Sequence, residues 1–200
     1  MTGLTPEDRR RFREAMTGIA PIGDRELGRG LALATPRHLP KGSHLLRAGA
    51  RATELAVVVR GLLREYFLLR DGSERTKAFV LEGGVSGSLA DLLSPTPSRA
   101  FIVAGEPVRL LVMPYDSMQA LGRASPPWAE LGRAGLERLL LQKAEREWEL
   151  LGLDAEQRYA AFRARYPSLE ARVLGKHVAS YLGITPVHLS RLRRRRARTA

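Results

Sequence analysis

The chain changes its hydrophobic rhythm three times. Between about Thr35 and Met113 the apolar residues come in short runs: His44-Leu45-Leu46, Leu55 to Val59, Leu62 to Leu69, Ala78-Phe79-Val80, Phe101-Ile102-Val103 and Val108 to Met113. These runs are cut by Gly42, Gly49, Gly61, Asp71-Gly72, Gly83-Gly84 and Gly105, a texture that predicts short strands joined by turns and hence a sandwich or barrel. Asp71-Gly72 between two such runs predicts a tight hairpin whose two turn residues both take positive φ. Near Pro126 the pattern turns helical and stays so to about Leu153. Leu131, Leu136, Leu139, Leu140, Trp148 and Leu151 recur at helical spacing, with Glu137, Lys143, Glu145 and Arg146 mostly between them. A helix of this length outruns a small barrel. The simplest cover for its apolar stripe is the same stripe on a second copy, the alternative being packing on its own barrel. From Asp154 onward the chain is helical again and rich in arginine. The expected class is α+β, with a strand-rich domain over 1–122, a dimerisation helix over 123–153 and a helical domain over 154–200.

Within that last domain, residues 176–192 read as helix, tight turn, helix. Ala179 is small where two helices cross closely, and Gly183 follows four residues later, where the turn needs a left-handed backbone. Val178, Leu182, Ile184, Leu189 and Leu192 supply the apolar faces. Thr185 can cap the second helix, and Pro186 suits its first position, where no amide donor is needed. In a helix-turn-helix the second helix enters the major groove and its early residues face base edges, here Pro186, Val187, Ser190 and Arg191 with His188 nearby. Arg191 has the fork suited to guanine, whereas Val187 offers only apolar contact, for instance to a thymine methyl. Arg193, Arg194, Arg195, Arg196 and Arg198 follow directly. The expected DNA-contacting set is therefore Lys176, Thr185, Pro186, Val187, His188, Ser190, Arg191, Arg193, Arg194 and Arg195. If half a dozen arginines neutralise phosphates, the logarithmic salt slope approaches roughly −5 per protomer.

Composition sharpens this. The 200 residues hold 33 Lys and Arg against 21 Asp and Glu, a net charge of +12 that attracts polyanions. Lysine is confined to Lys41, Lys77, Lys143 and Lys176, so a genome biased toward arginine codons would also raise the basic count; location decides between the two. The chain has no cysteine, which removes disulfides, zinc knuckles, cysteine-held iron–sulfur clusters and a thiol nucleophile. The charged N-terminus and short apolar runs predict neither a signal peptide nor a membrane span, and a cytoplasmic location.

Strand-rich segment, long helix and helix-turn-helix, in that order, resemble the Crp/Fnr family of bacterial transcriptional regulators over roughly residues 20–195. The most specific match is Ala179-Ser180-Tyr181-Leu182-Gly183-Ile184-Thr185-Pro186 with Leu189-Ser190-Arg191; a second is the glycine pattern Lys41-Gly42, Gly49, Gly61 and Asp71-Gly72, similar to that of the family's cyclic-nucleotide-binding β-roll. The resemblance implies an N-terminal antiparallel β-roll, jelly-roll-like, and a homodimer bound to double-stranded DNA. It also implies an effector pocket in the cassette around Gly87, Ser88, Ser98 and Arg99. Family members that bind cyclic AMP carry a Gly-Glu pair and, about ten residues later, an arginine for the cyclic phosphate. Counted without gaps, Ser88 falls on the glutamate position and Ser98 on the arginine position, with Arg99 one step off and so on the opposite strand face unless a bulge at Pro97 restores it. Weak or absent cyclic-AMP binding is expected, no cofactor is implied, and the effector, if the roll has one, is an unidentified small molecule. Only eight residues follow Leu192, so the family's two-stranded wing is expected to be missing, as in a shortened subgroup, with the arginines taking over its phosphate contacts. That subgroup commonly has an acidic residue where this chain has Val187, which predicts a different target sequence.

Other function classes fit less well. His38 and His44 are too far apart for a cupin metal pair, and they sit where haem ligation is less common than a surface role. Gly84-Val85-Ser86-Gly87-Ser88 lacks the final glycine of a nucleophile elbow, and Lys41-Gly42-Ser43 reverses the phosphate-loop order. No metal site and no enzyme are expected. A β-roll module that senses a ligand or partner without touching DNA is the alternative, although 6% aromatic residues make a poor stacking platform for single strands.

Overall fold

The computed structural model describes residues 3–94 and 96–197. Two helices open the chain, α1 (Pro6–Thr17) and α2 (Asp24–Leu31). Thr5 caps α1 in a reciprocal box with Asp8. Eight strands follow: β1 (Thr35–Leu39), β2 (His44–Leu46), β3 (Glu54–Arg60), β4 (Leu63–Leu68), β5 (Glu74–Val80), β6 (Val85–Ser86), β7 (Ala100–Ala104) and β8 (Val108–Pro114). They form two four-stranded sheets of order β1-β8-β3-β6 and β2-β7-β4-β5, the antiparallel roll that the strand texture and the family resemblance implied. A short α3 (Leu89–Leu92) interrupts the strands, and α4 (Tyr115–Ala124) leads into α5 (Pro126–Gly152).

β3 and β8 pair from Glu54↔Pro114 to Val58↔Leu110 and then shift register at Arg60↔Arg109. Their side chains are buried on both faces, which is why Val57-Val58-Val59 and Leu110-Leu111-Val112 run apolar without alternation. On one face Ala56, Val58, Leu110 and Val112 meet Leu63, Ile102 and Ala104 of the opposite sheet. On the other, Val57, Val59, Leu111 and Met113 pack with Phe12 and Met16 of α1, Leu27 and Leu31 of α2, and Trp128 and Leu131 of α5. The N-terminal helices, which the strand-centred reading did not anticipate, thus cover a sheet face that would otherwise lie open. Arg109 donates to the buried Asp8 from Nε at 2.7 Å and Nη2 at 2.5 Å, tying α1 to β8. That hydrogen bonding, against the opposing effect of burial, lowers the Asp8 pKa to about 2.

The hairpin at Asp71-Gly72 differs from expectation. Gly72 alone takes positive φ, at 78°, while Asp71 does not; the Gly72 amide donates to Leu69 O and the Leu69 amide to Ser73 O. These bonds describe a type I turn closed by a glycine bulge, in which only the last turn residue needs the left-handed region.

By contact density the chain divides into residues 1–65 with 79–140, and residues 66–78 with 141–200. The second unit contains the end of α5, α6 (Ala155–Arg165), a 3₁₀ turn at Leu169–Ala171, α7 (Gly175–Leu182) and α8 (Pro186–Ala197). Its core is Tyr159, Phe162, Leu169, Val178, Ala179, Tyr181, Leu182, Leu189 and Leu192. Among the described residues, no helix is long and apolar enough to cross a membrane.

Candidate nucleic-acid interface

Helices α7 and α8 meet through a turn set by local chemistry. Gly183 ends α7 in the left-handed region at φ 70°, ψ 31°, and the Ile184 amide reaches back to Ala179 O at 3.0 Å. Thr185 Oγ1 accepts from the His188 amide at 3.2 Å, and Pro186 takes the first position of α8. Val178, Ala179, Leu182, Leu189 and Leu192 are buried between the elements, which turns the opposite face of α8 outward.

On that outward face lie Pro186, Val187, His188, Ser190, Arg191, Arg194 and Arg195, all exposed. Ser190, Arg191 and Arg194 lie three, four and seven residues after Val187, the spacing that places side chains on one helix face. A shallow groove of about 310 Å³ is lined by Thr185, Val187, His188, Arg191, Leu192 and Arg195. Among the described residues Arg191 and Arg194 have no acidic partner, so both guanidinium groups are available to a polyanion. Lys176 is exposed in the first turn of α7, and Arg196 is exposed near the end of α8. Arg198 lies outside the described residues.

Arg193 sits apart from this set. Its Nε and Nη2 donate to Glu170 Oε1 at 3.0 and 2.8 Å, and the Tyr159 hydroxyl donates to the same carboxylate at 3.0 Å. Arg163 adds a longer ion pair at 3.7 Å. Burial works against the Arg193 charge, but the hydrogen bonds to Glu170 outweigh it and raise its pKa. The Tyr159 hydroxyl is also pushed up, by burial first and by Glu170 second. Arg193 therefore holds α8 to α6 and the 3₁₀ turn. Arginine-rich sequence gave no sign of this, because the partner is 23 residues away.

Two further anchors belong to the same unit. Ser180 of α7 accepts the Thr76 amide at 2.8 Å and donates to Glu74 O at 2.7 Å, so a hydroxyl inside the helix-turn-helix satisfies backbone groups of β5. At the end of α5, buried Glu149 takes Arg146 at 2.8 Å and also pairs with Arg165. Arg146 lies over the Tyr181 ring at 3.9 Å and donates to Tyr181 O, while Arg165 donates to the Tyr181 hydroxyl at 2.8 Å.

A family model for the cyclic nucleotide-binding domain matches residues 36–125. The fumarate and nitrate reduction regulatory protein of Vibrio cholerae is 26% identical over 169 residues, covering 77% of this chain and 65% of its own length. Among solved structures, FixK2 from Bradyrhizobium japonicum superposes with a TM-score of 0.71 at 22% identity, over 81% of this chain and 83% of that one. The catabolite activator protein of Thermus thermophilus does so at 0.57 and 25% identity, over 93% and 87%.

The fold is that of the Crp/Fnr regulators.

The cassette that the family resemblance marks is unusual in charge. Gly87 follows β6, and buried Ser88 precedes α3. Ser98 is buried too, its hydroxyl 2.5 Å from Asp91 Oδ2 and accepting the Ala100 amide at 3.0 Å. Arg99 is exposed. Ser98, which counting without gaps sets opposite the family's phosphate arginine, is thus a neutral hydroxyl bonded to a carboxylate.

Proposed function

We propose that this protein is a homodimeric, DNA-binding transcriptional regulator of the Crp/Fnr type that does not respond to cyclic AMP. The observation that carries the reading is the outward face of α8, where Arg191 and Arg194, without acidic partners among the described residues, stand beside Val187 and Ser190. Arg191 supplies base readout, and Lys176, Arg194, Arg195 and Arg196 supply phosphate contacts. Dimerisation is supported by α5, where Leu136, Leu140, Trp148 and Leu151 recur at spacings of four, eight and three and are 48%, 68%, 60% and 80% exposed. A second copy of the same stripe would bury this surface and place two α8 helices on one duplex, about 34 Å apart. Because Arg146 and Glu149 join the last turns of α5 to Tyr181, a rotation of α5 would carry α7 and α8 with it, the motion an effector bound to the roll would have to exploit.

The test is fluorescence anisotropy with a duplex taken from the DNA upstream of the protein's own gene, with RNA as competitor. Binding that RNA does not displace, and that Arg191→Ala abolishes without changing the dimer or the circular dichroism, supports the proposal. Binding that Arg191→Ala leaves intact, or that RNA competes away, refutes it.

A further inference from the structure

We infer that α8 selects a thymine methyl with Val187 within about two base pairs of the guanine read by Arg191. The inference rests on the DNA-binding reading above and deepens it. Val187 is 61% exposed in the first turn of α8, on the side that points away from the core formed by Leu189 and Leu192. Its isopropyl group helps to line the groove it shares with Thr185, His188, Arg191, Leu192 and Arg195. A valine has neither donor nor acceptor. The one apolar feature that distinguishes a base pair in the major groove is the C5-methyl of thymine, so that is the group this side chain can discriminate.

The neighbouring residues limit the alternatives. Arg191 lies one turn after Val187, a rise of about 6 Å along the axis, or roughly two base-pair steps when the helix follows the groove. From Pro186 to Ala197 the helix contains no Asp or Glu. It therefore has no carboxylate to accept from the exocyclic amine of cytosine, the contact that an acidic side chain would make from the same turn. Arg193 does not add a second guanine-reading fork, because Glu170 holds it on the far side of the helix. Val187 and Arg191 thus give the half-site a thymine and a nearby guanine, while the residues on the phosphates add affinity without sequence preference.

The experiment uses the full chain and a pool of randomised duplexes, from which bound DNA is sequenced. The enriched duplex is then resynthesised with deoxyuridine in place of one thymine at a time, which deletes the methyl and leaves every hydrogen-bonding group. The expected result is a conserved guanine with a thymine no more than two pairs away, and a loss of about fourfold in affinity when that thymine alone loses its methyl, the factor for one buried methyl-sized group. Val187→Ala should abolish this sensitivity, and Val187→Glu should shift the enriched base at that position toward cytosine. Enrichment of a duplex without the thymine, or indifference to its methyl, overturns this inference while leaving DNA binding in place. Failure to enrich any duplex overturns the DNA-binding reading and this inference with it.

Discussion

Replacing Arg193 and Arg194 by alanine, one at a time, separates two roles that look identical in a run of arginines. Each phosphate neutralised contributes about −0.9 to the slope of log affinity against log salt. With Lys176, Arg194, Arg195 and Arg196 on the backbone as proposed, a protomer would make about four such contacts and a dimer's slope would be roughly −7. That is about −3.6 per protomer, shallower than the roughly −5 per protomer expected when Arg193 and Arg198 are counted in. Arg194→Ala removes one contact from each protomer and should bring the slope to roughly −5.4, so the affinity penalty between 50 and 200 mM salt shrinks by a factor of about 12. Arg193→Ala should leave the slope near that of the parent. Its cost falls on folding instead, because the Glu170 carboxylate keeps Tyr159 and loses its closest cation; with Arg193 itself 40% exposed, about 1 kcal/mol is expected. Anisotropy titrations across that salt range, with thermal melts of each variant, measure both quantities. If Arg193→Ala lowers the slope as much as Arg194→Ala and melts like the parent, the clamp is not formed on DNA and the assignment of Arg193 is wrong.

Four other outcomes follow from the same geometry. Calorimetry with cyclic AMP should give no binding at micromolar concentration if, as proposed, Ser98 with its bond to Asp91 stands where a phosphate arginine would be needed; a micromolar isotherm refutes that reading. The Asp8 carboxyl, held at about 2 instead of 3.8 mainly by Arg109, should contribute about 2 kcal/mol that is present above pH 4 and is lost as pH falls toward 2. Asp8→Asn should therefore flatten the acid limb of a denaturation series and lower stability at pH 7, and an unchanged limb would count against the pair. Gly183→Ala has room for its Cβ, the nearest atom being 3.8 Å away, so its cost of about 1–2 kcal/mol should be purely that of a left-handed alanine, read as a lower melting temperature of the C-terminal unit. Leu140→Glu with Leu151→Glu should give a monomer by sedimentation and weaken duplex binding at least tenfold, whereas a dimer surviving both changes would place the interface elsewhere.

What was legible in the sequence was local. Gly183, Thr185 and Pro186 each satisfy a requirement that lies within a few residues, and the turn they predict is the one observed. The unbroken apolar runs of β3 and β8 announced strands, and their lack of alternation is explained by burial on both faces. The same runs concealed what covers them. Helix α1 was readable in principle, since Thr5, Pro6 and Asp8 form a capping signature and Phe12, Ala15 and Met16 share its buried face, but its many arginines obscured the pattern. The Asp71-Gly72 turn was misjudged because a dipeptide rule cannot count the residues in the loop. Contacts across long separations left no local mark: Asp8 with Arg109, Ser180 with Glu74 and Arg193 with Glu170 each depend on the finished fold.

Those contacts change the meaning of the chain's positive charge. Arg146 and Arg158 donate to the last carbonyls of α7, Tyr181 O and Leu182 O, where the helix dipole is negative and unpaired oxygens need donors. Arg158 also reaches Leu153 O at 2.6 Å, so one guanidinium bridges the end of α5 and the end of α7. Burial of Arg165 opposes its charge, yet its bonds to Glu149 and the Tyr181 hydroxyl prevail and raise its pKa. Lysine could not replace Arg146, because an ammonium lacks the planar fork that donates to Glu149 and to Tyr181 O while its face lies on the Tyr181 ring. Arginine in the second unit therefore serves two ends. Part of it joins α5, α6, α7 and α8 into one body around Tyr181 and Glu170, and part of it, on the outward face of α8, is left for a polyanion. The first use is what would make the second effective, since the base readout proposed for Arg191 requires a helix that does not turn on its own axis.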